Sequence, residues 1–195
     1  MILSFVISVV TLLAVPGPTN TLLGASGATV GFRKSLRLVI GEITGYLLAI
    51  IVLMQILAPF VADAPAAPIV AKALASVVLV LLALRLWRHA GAEVAVASGP
   101  ISVGQVFVTT LFNPKALIFA FVIFPRSGFQ ETVRYLALFS ILVIGIGCAW
   151  IALGRAIGGS AGRLATQSLI ARCAAVALGV FATVIAGSAV ASAIS

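Results

Sequence analysis

The sequence predicts an all-α membrane protein of six transmembrane helices, arranged as two inverted three-helix repeats with helices one and four broken. Three observations lead there. The 195-residue chain is 63% hydrophobic and 8% charged, whereas an ordinary soluble domain carries about 25% charged residues. Apolar runs of roughly 20 residues, the length that crosses a bilayer, recur between short charged loops. Pro16-Gly17-Pro18 and Asn113-Pro114-Lys115 interrupt apolar runs at corresponding places of the two halves. The mean hydropathy of +1.30 leaves no polar surface to coat a water-soluble particle.

Spans are read from the gaps between charges. Span one covers about residues 2–23 and breaks at Pro16–Pro18, followed by a loop with Gly24, Gly27, Gly31, Arg33, Lys34 and Arg37. Span two covers about 38–57, with Glu42 as its one charge. Pro59, Asp63, Pro65 and Pro68 mark a turn-rich loop. Span three covers about 69–87, with Lys72 near its start free to snorkel to the interface. Arg85, Arg88, His89, Glu93, Ser98, Gly99 and Pro100 belong to the middle loop. Span four covers about 103–124 and holds Lys115 near its centre. A turn at Pro125–Glu131 leads to span five, about 135–153. A glycine-rich linker, 154–172, is expected along the membrane surface before span six, about 173–193. The whole chain, 1–195, reads as one membrane domain, with 1–97 the first repeat and 98–195 the second.

Orientation follows from counting Lys and Arg in alternate loops. The loops after spans one, three and five hold eight of them, and those after spans two and four hold three. The basic side faces the cytoplasm, so both termini are expected on the extracytoplasmic side of a bacterial inner membrane. Three spans per half makes the halves inverted relative to one another, as in secondary transporters whose sites form where broken helices meet.

The net charge of +8 sits in short loops, where it sets topology, and nucleic-acid binding is set aside. The first charge is Arg33, so the N-terminal run lacks the basic start of a cleavable signal and is kept as a span. Cys148 and Cys173 stand apart and read as buried free thiols. Four acids and one histidine spread along the chain make no metal constellation. There is no phosphate-binding Gly-x-x-x-x-Gly-Lys-Ser/Thr loop and no hydrolytic triad pattern. No enzyme activity and no cofactor are expected.

The interruptions carry the chemistry. Two prolines around a glycine remove backbone donors and release the chain from a regular helix. In hydrocarbon the freed carbonyls have no water to turn to, so such a break survives only against protein or a wet cavity. Pro16, Gly17 and Pro18 therefore read as a functional unwinding rather than a kink. Thr19 and Asn20 offer hydroxyl and amide groups either to a substrate or to the freed backbone. Lys115 lies about 12 residues into span four, hence ~18 Å along the axis and too deep to snorkel easily. An ammonium at that depth marks an ion or substrate path, or else a structural ion pair. Asn113 and Pro114 loosen the helix beside it. Glu42 reads as a carboxylate that exchanges protons, against a hydrated interfacial position one turn inside span two. Gly41-x-x-x-Gly45 and Gly27-x-x-x-Gly31 read as faces for close helix packing, which permit a homodimer without demanding one.

Val15-Pro16-Gly17-Pro18, Gly31-Phe32-Arg33, and Gly41 with Gly45 resemble the N-terminal signature of the LysE/RhtB family of amino-acid exporters. Asn113-Pro114-Lys115, followed by Phe119 and Phe124-Pro125, resembles its second signature. Two features depart from the family pattern: Thr19 intervenes before Asn20, and Arg126-Ser127 replace an aromatic-Gln pair. The resemblance implies an inner-membrane exporter of amino acids or related small zwitterions, driven by the proton gradient. The expected mechanism is alternating access around a solvated mid-bilayer pocket. Amides near Pro16–Asn20 would hold a carboxylate, and Glu42 or carbonyls near Asn113 an ammonium. Competing readings are a non-transporting scaffold or assembly subunit and a metal-ion exporter. The latter would want several in-span acids or thiolates.

Overall fold

The computed structural model describes residues 2–57, 67–88, 100–125, 128–157 and 163–194. Among the described residues the chain is helical and has no strand. The first apolar run forms α1 (Ile2–Ala14) and α2 (Pro18–Val30), bent by 62° at the break. Gly17 is extended there and Pro18 opens α2, a position where the missing N–H is no loss. Gly31, with φ of 85°, ends α2 in a conformation that favours glycine. A short α3 (Phe32–Ser35) leads into α4 (Leu38–Val52), which continues as a π-helical turn, Leu53–Leu57. Phe32–Gln55 is long and apolar enough to cross a membrane.

The helix α5 (Ala67–Arg88) corresponds to span three. The second broken run forms α6 (Val103–Leu111) and α7 (Lys115–Ile118), followed by a π-helical turn, Phe119–Ile123. The two parts are bent by 54°. Ser102 caps α6, its Oγ accepting from the Gln105 amide at 3.1 Å. The remaining helices are α8 (Phe129–Ile157) and α9 (Arg163–Ile194).

Two boundaries differ from expectation. Residues 24–30 are helical, because α2 lies against α8 and its glycines serve that contact instead of a loop. Of the expected surface linker, 154–157 complete α8 and 163–172 begin α9. The glycines at 158, 159 and 162 lie outside the described residues. The expectations for Pro59, Asp63, Pro65, His89 and Glu93 lie outside the described residues, as do those for the side chains of Lys72, Arg85 and Cys173.

Packing joins the two halves crosswise. The first broken run rests on α8, the second broken run rests on α4, and α5 pairs with α9. The α2–α8 and α4–α6 seams are closed by glycine. A Cβ on Gly27 would strike the Ile151 carbonyl, one on Gly154 the Gly24 carbonyl, and one on Gly45 would stand 2.8 Å from Phe107 O and Thr110 Cβ. Backbones that close in membrane helices gain dispersion contact where no hydrophobic force drives association. Toward the end where α1 begins, the core is aromatic instead. Tyr46, Phe119, Phe139, Phe124, Phe5 and Tyr135 form a column of edge-to-face rings with centroids 4.7–5.8 Å apart. The outward faces are apolar, with Ile40, Leu74, Leu81, Ile141 and Val184 exposed, as suits a lipid-facing surface.

Candidate functional site

Breaking a helix in an apolar interior leaves carbonyls without partners, and in this chain side chains from both breaks answer them. Asn20 turns back across the first break, its Nδ2 donating to Leu13 O at 2.7 Å and Val15 O at 2.8 Å. The Lys115 ammonium reaches from the second break and donates to the same Val15 carbonyl. A cation beside the last carbonyls of α1 also meets the negative end of that helix. Gly17 makes room for it, since a Cβ there would stand 3.3 Å from Lys115 Cε and Nζ.

Thr19 and Asn113 tie the breaks together a second time. The Thr19 and Thr110 hydroxyls are 3.0 Å apart, and Thr110 in turn donates to Val106 O at 2.8 Å. Asn113 Nδ2 donates to Thr19 Oγ1 at 3.2 Å and to Tyr46 Oη at 3.3 Å. Its Oδ1 accepts from the Lys115 amide at 3.0 Å, which caps the first turn of α7. Pro114 holds the turn between Asn113 and Lys115. The two interruptions are therefore one polar junction, with Pro16, Gly17, Pro18, Thr19 and Asn20 on one side and Asn113, Pro114 and Lys115 on the other.

Glu42 stands near this junction but outside its hydrogen bonds. It lies one turn before Tyr46 on α4 and is 1% exposed, so the hydrated interfacial position considered for it is overturned. The packing of α4 on α8 at Gly147 buries it, which its distance from the helix end does not reveal. Its Oε2 has no hydrogen-bond partner and points at Gly147, where a Cβ would stand 2.6 Å away. Glu42 and Lys115 form no ion pair among the described residues. A buried carboxylate oxygen without a partner is costly by several kcal/mol if charged, and a proton or a ligand cation removes that cost.

The junction is closed to solvent. Thr19, Asn20, Glu42, Thr110, Asn113 and Lys115 are all buried. The expected solvated pocket is thus a sealed polar core in this conformation, with rings above it and glycine seams below. Two members were not anticipated from the sequence, Tyr46 and Thr110. Their positions held a signal, since Tyr46 falls one turn after Glu42 and Thr110 one turn before Asn113. Cys148 is free and half-buried, more exposed than expected, on the face of α8 next to Gly147.

Comparison with known proteins gives one finding of likeness. A family model described as LysE type translocator matches residues 10–193, nearly the whole chain. No curated protein and no solved structure shows a significant match.

Proposed function

We propose a function from one premise: the chain belongs to the LysE type translocator family, and is a multi-pass membrane protein acting on small molecules. On our reading it is a bacterial inner-membrane secondary transporter that exports an amino acid or related small zwitterion by proton antiport. The observation that carries this is the meeting of Lys115, Asn113 and Thr19 with the freed carbonyl of Val15 at a single buried junction. Two broken helices brought to one polar point are the architecture in which transporters hold substrate.

The chemistry follows from the groups present. An ammonium carries three donors, so the bond from Lys115 to Val15 leaves capacity for a substrate carboxylate. Displacing that bond frees the Val15 carbonyl for the substrate's own ammonium. Glu42, one turn before Tyr46 on α4 and with an unpartnered oxygen, is the acid we assign to proton exchange. Cycling would open the aromatic end and the glycine-seamed end in turn, the closed core being the intermediate between them. The crosswise packing of each broken run on the other half supports two inverted repeats of 1–97 and 98–195 as the moving bodies. The charge count favours both termini on the extracytoplasmic side.

Proteoliposomes loaded with a panel of radiolabelled amino acids test the reading. Wild type should export at least one substrate when a pH gradient is imposed, and Lys115→Ala should abolish that flux. Glu42→Gln should remove the response to the gradient while substrate-driven exchange and the melting temperature persist. No flux of any substrate by well-folded wild type would favour a scaffold role. Gradient-driven flux unchanged in Glu42→Gln would remove Glu42 from coupling.

A further inference from the structure

The α5–α9 pair holds a feature apart from the polar junction. Between the two helices runs an apolar groove of about 260 Å³, lined by residues that include Val80, Leu84, Trp87, Val176 and Gly179. Val80, Leu84, Trp87 and Val176 are exposed along it, and Gly179 opens onto free space. At one end Arg172 lies over Trp87, with its guanidinium carbon 5.8 Å from the ring centroid. Arg88 is next in sequence to Trp87 and exposed.

Depth follows from helix length. The 22 residues of α5 span about 33 Å, close to the ~30 Å of a hydrocarbon core. Trp87 and Arg88 then sit at one membrane boundary, where tryptophan is favoured. From Arg172 to Ile194 is a similar distance along α9, which sets Arg172 at the same boundary. Gly179 lies about 10 Å deeper than Arg172. The groove therefore begins under two arginines at the headgroup level and runs into the apolar core.

The geometry points to a binding site for an anionic phospholipid, with its acyl chain in the groove and its phosphate on Arg88 and Arg172. Charge decides the occupant. An apolar groove alone accepts the chain of any lipid, but two guanidinium groups at its mouth match a headgroup of net negative charge. Guanidinium forks pair with phosphate oxygens through two parallel hydrogen bonds. The cation–π contact holds Arg172 at the mouth and so lessens the entropy lost on binding. A second copy of the chain would bring its own two arginines to the same place, and like charges would then face each other.

Tryptophan quenching tests this without reference to transport. With Trp150→Phe as background, Trp87 is the one tryptophan left in the chain. The protein is placed in nanodiscs containing rising fractions of brominated-chain phosphatidylglycerol or brominated-chain phosphatidylcholine. Half-maximal quenching is expected at an about fivefold lower fraction of phosphatidylglycerol, the gain of roughly one basic contact at a membrane surface. Arg88→Gln with Arg172→Gln should abolish the preference, and the corresponding pair of Lys substitutions should keep most of it. Arg134→Gln, near the start of α8, should leave it unchanged. Equal quenching by the two lipids overturns the proposal, as does a preference that survives the double Gln variant. Loss of quenching by both lipids as the protein dimerises assigns the groove to a second copy and also overturns it.

Discussion

Asn20 shows how little residue type says about role. An amide beside a helix break in a membrane suits a substrate and suits the backbone equally well. Its two bonds to Leu13 O and Val15 O make it the group that satisfies the end of α1. Asn20→Leu, similar in size but without the donors, orphans the buried Leu13 carbonyl and leaves Val15 O to Lys115 alone. At 1–3 kcal/mol for an unsatisfied group, we expect ~2 kcal/mol of destabilisation, read as a lowered melting temperature in detergent. Thr19 and Asn113, by contrast, are bonded mainly to each other and to Tyr46 and Thr110. Partners of that kind can be exchanged for a ligand's. Lys115 belongs to both groups, since it fills a gap in α1 and keeps donors to spare. Its depth was legible in the sequence. Its partner was not, because Val15 is 100 positions away and a backbone carbonyl has no sequence signature.

Among the helices, glycine separates seams from lipid-facing surfaces. Gly41 and Gly45 were legible as a packing face from their spacing, and they meet α6. The pair Gly27 and Gly31 divides instead. Gly27 presses on Ile151, whereas Gly31 meets nothing within 4 Å and serves the turn through its positive φ. Gly24 and Gly154 complete the α2–α8 seam, while Gly147 faces Glu42 of α4, and no spacing rule singles them out. Gly154→Leu should force α2 from α8, lower the melting temperature by several degrees and reduce flux. Gly179→Leu, where a side chain meets open space, should leave both unchanged. Equal effects of the two substitutions would remove the seam as an explanation. Residues 154–157 and 163–172 are helical despite the glycines and arginines that follow span five.

The molecule as a whole is closed around its polar core, rings at one end and backbone contacts at the other. The two closures differ physically. Ring pairs part by rotamer change, while the seams require whole helices to move apart. If opening of the aromatic end is obligatory, a bond across it should stop turnover. Phe5 and Tyr135 have ring centroids 4.7 Å apart. Phe5→Cys with Tyr135→Cys, in a chain freed of Cys148 and Cys173, should export when the thiols are free and stall when a short bis-methanethiosulfonate reagent links them, with reductant restoring flux. Export that continues through a complete cross-link would rule out opening at that end.

Composition settled the solvent of this fold. With 8% charged residues there was no outcome but a lipid environment, and in lipid every backbone group must find a partner within the protein. Helices and their two interruptions therefore followed from hydropathy and proline chemistry, which act over neighbouring residues. What sequence could not reach was pairing across distance: Lys115 to Val15, Thr19 to Thr110, Glu42 left facing Gly147. Those contacts arise when the apolar segments choose their neighbours. That choice turns on shape, a few glycines and two bends, and none of these is expressed in any local stretch of the chain.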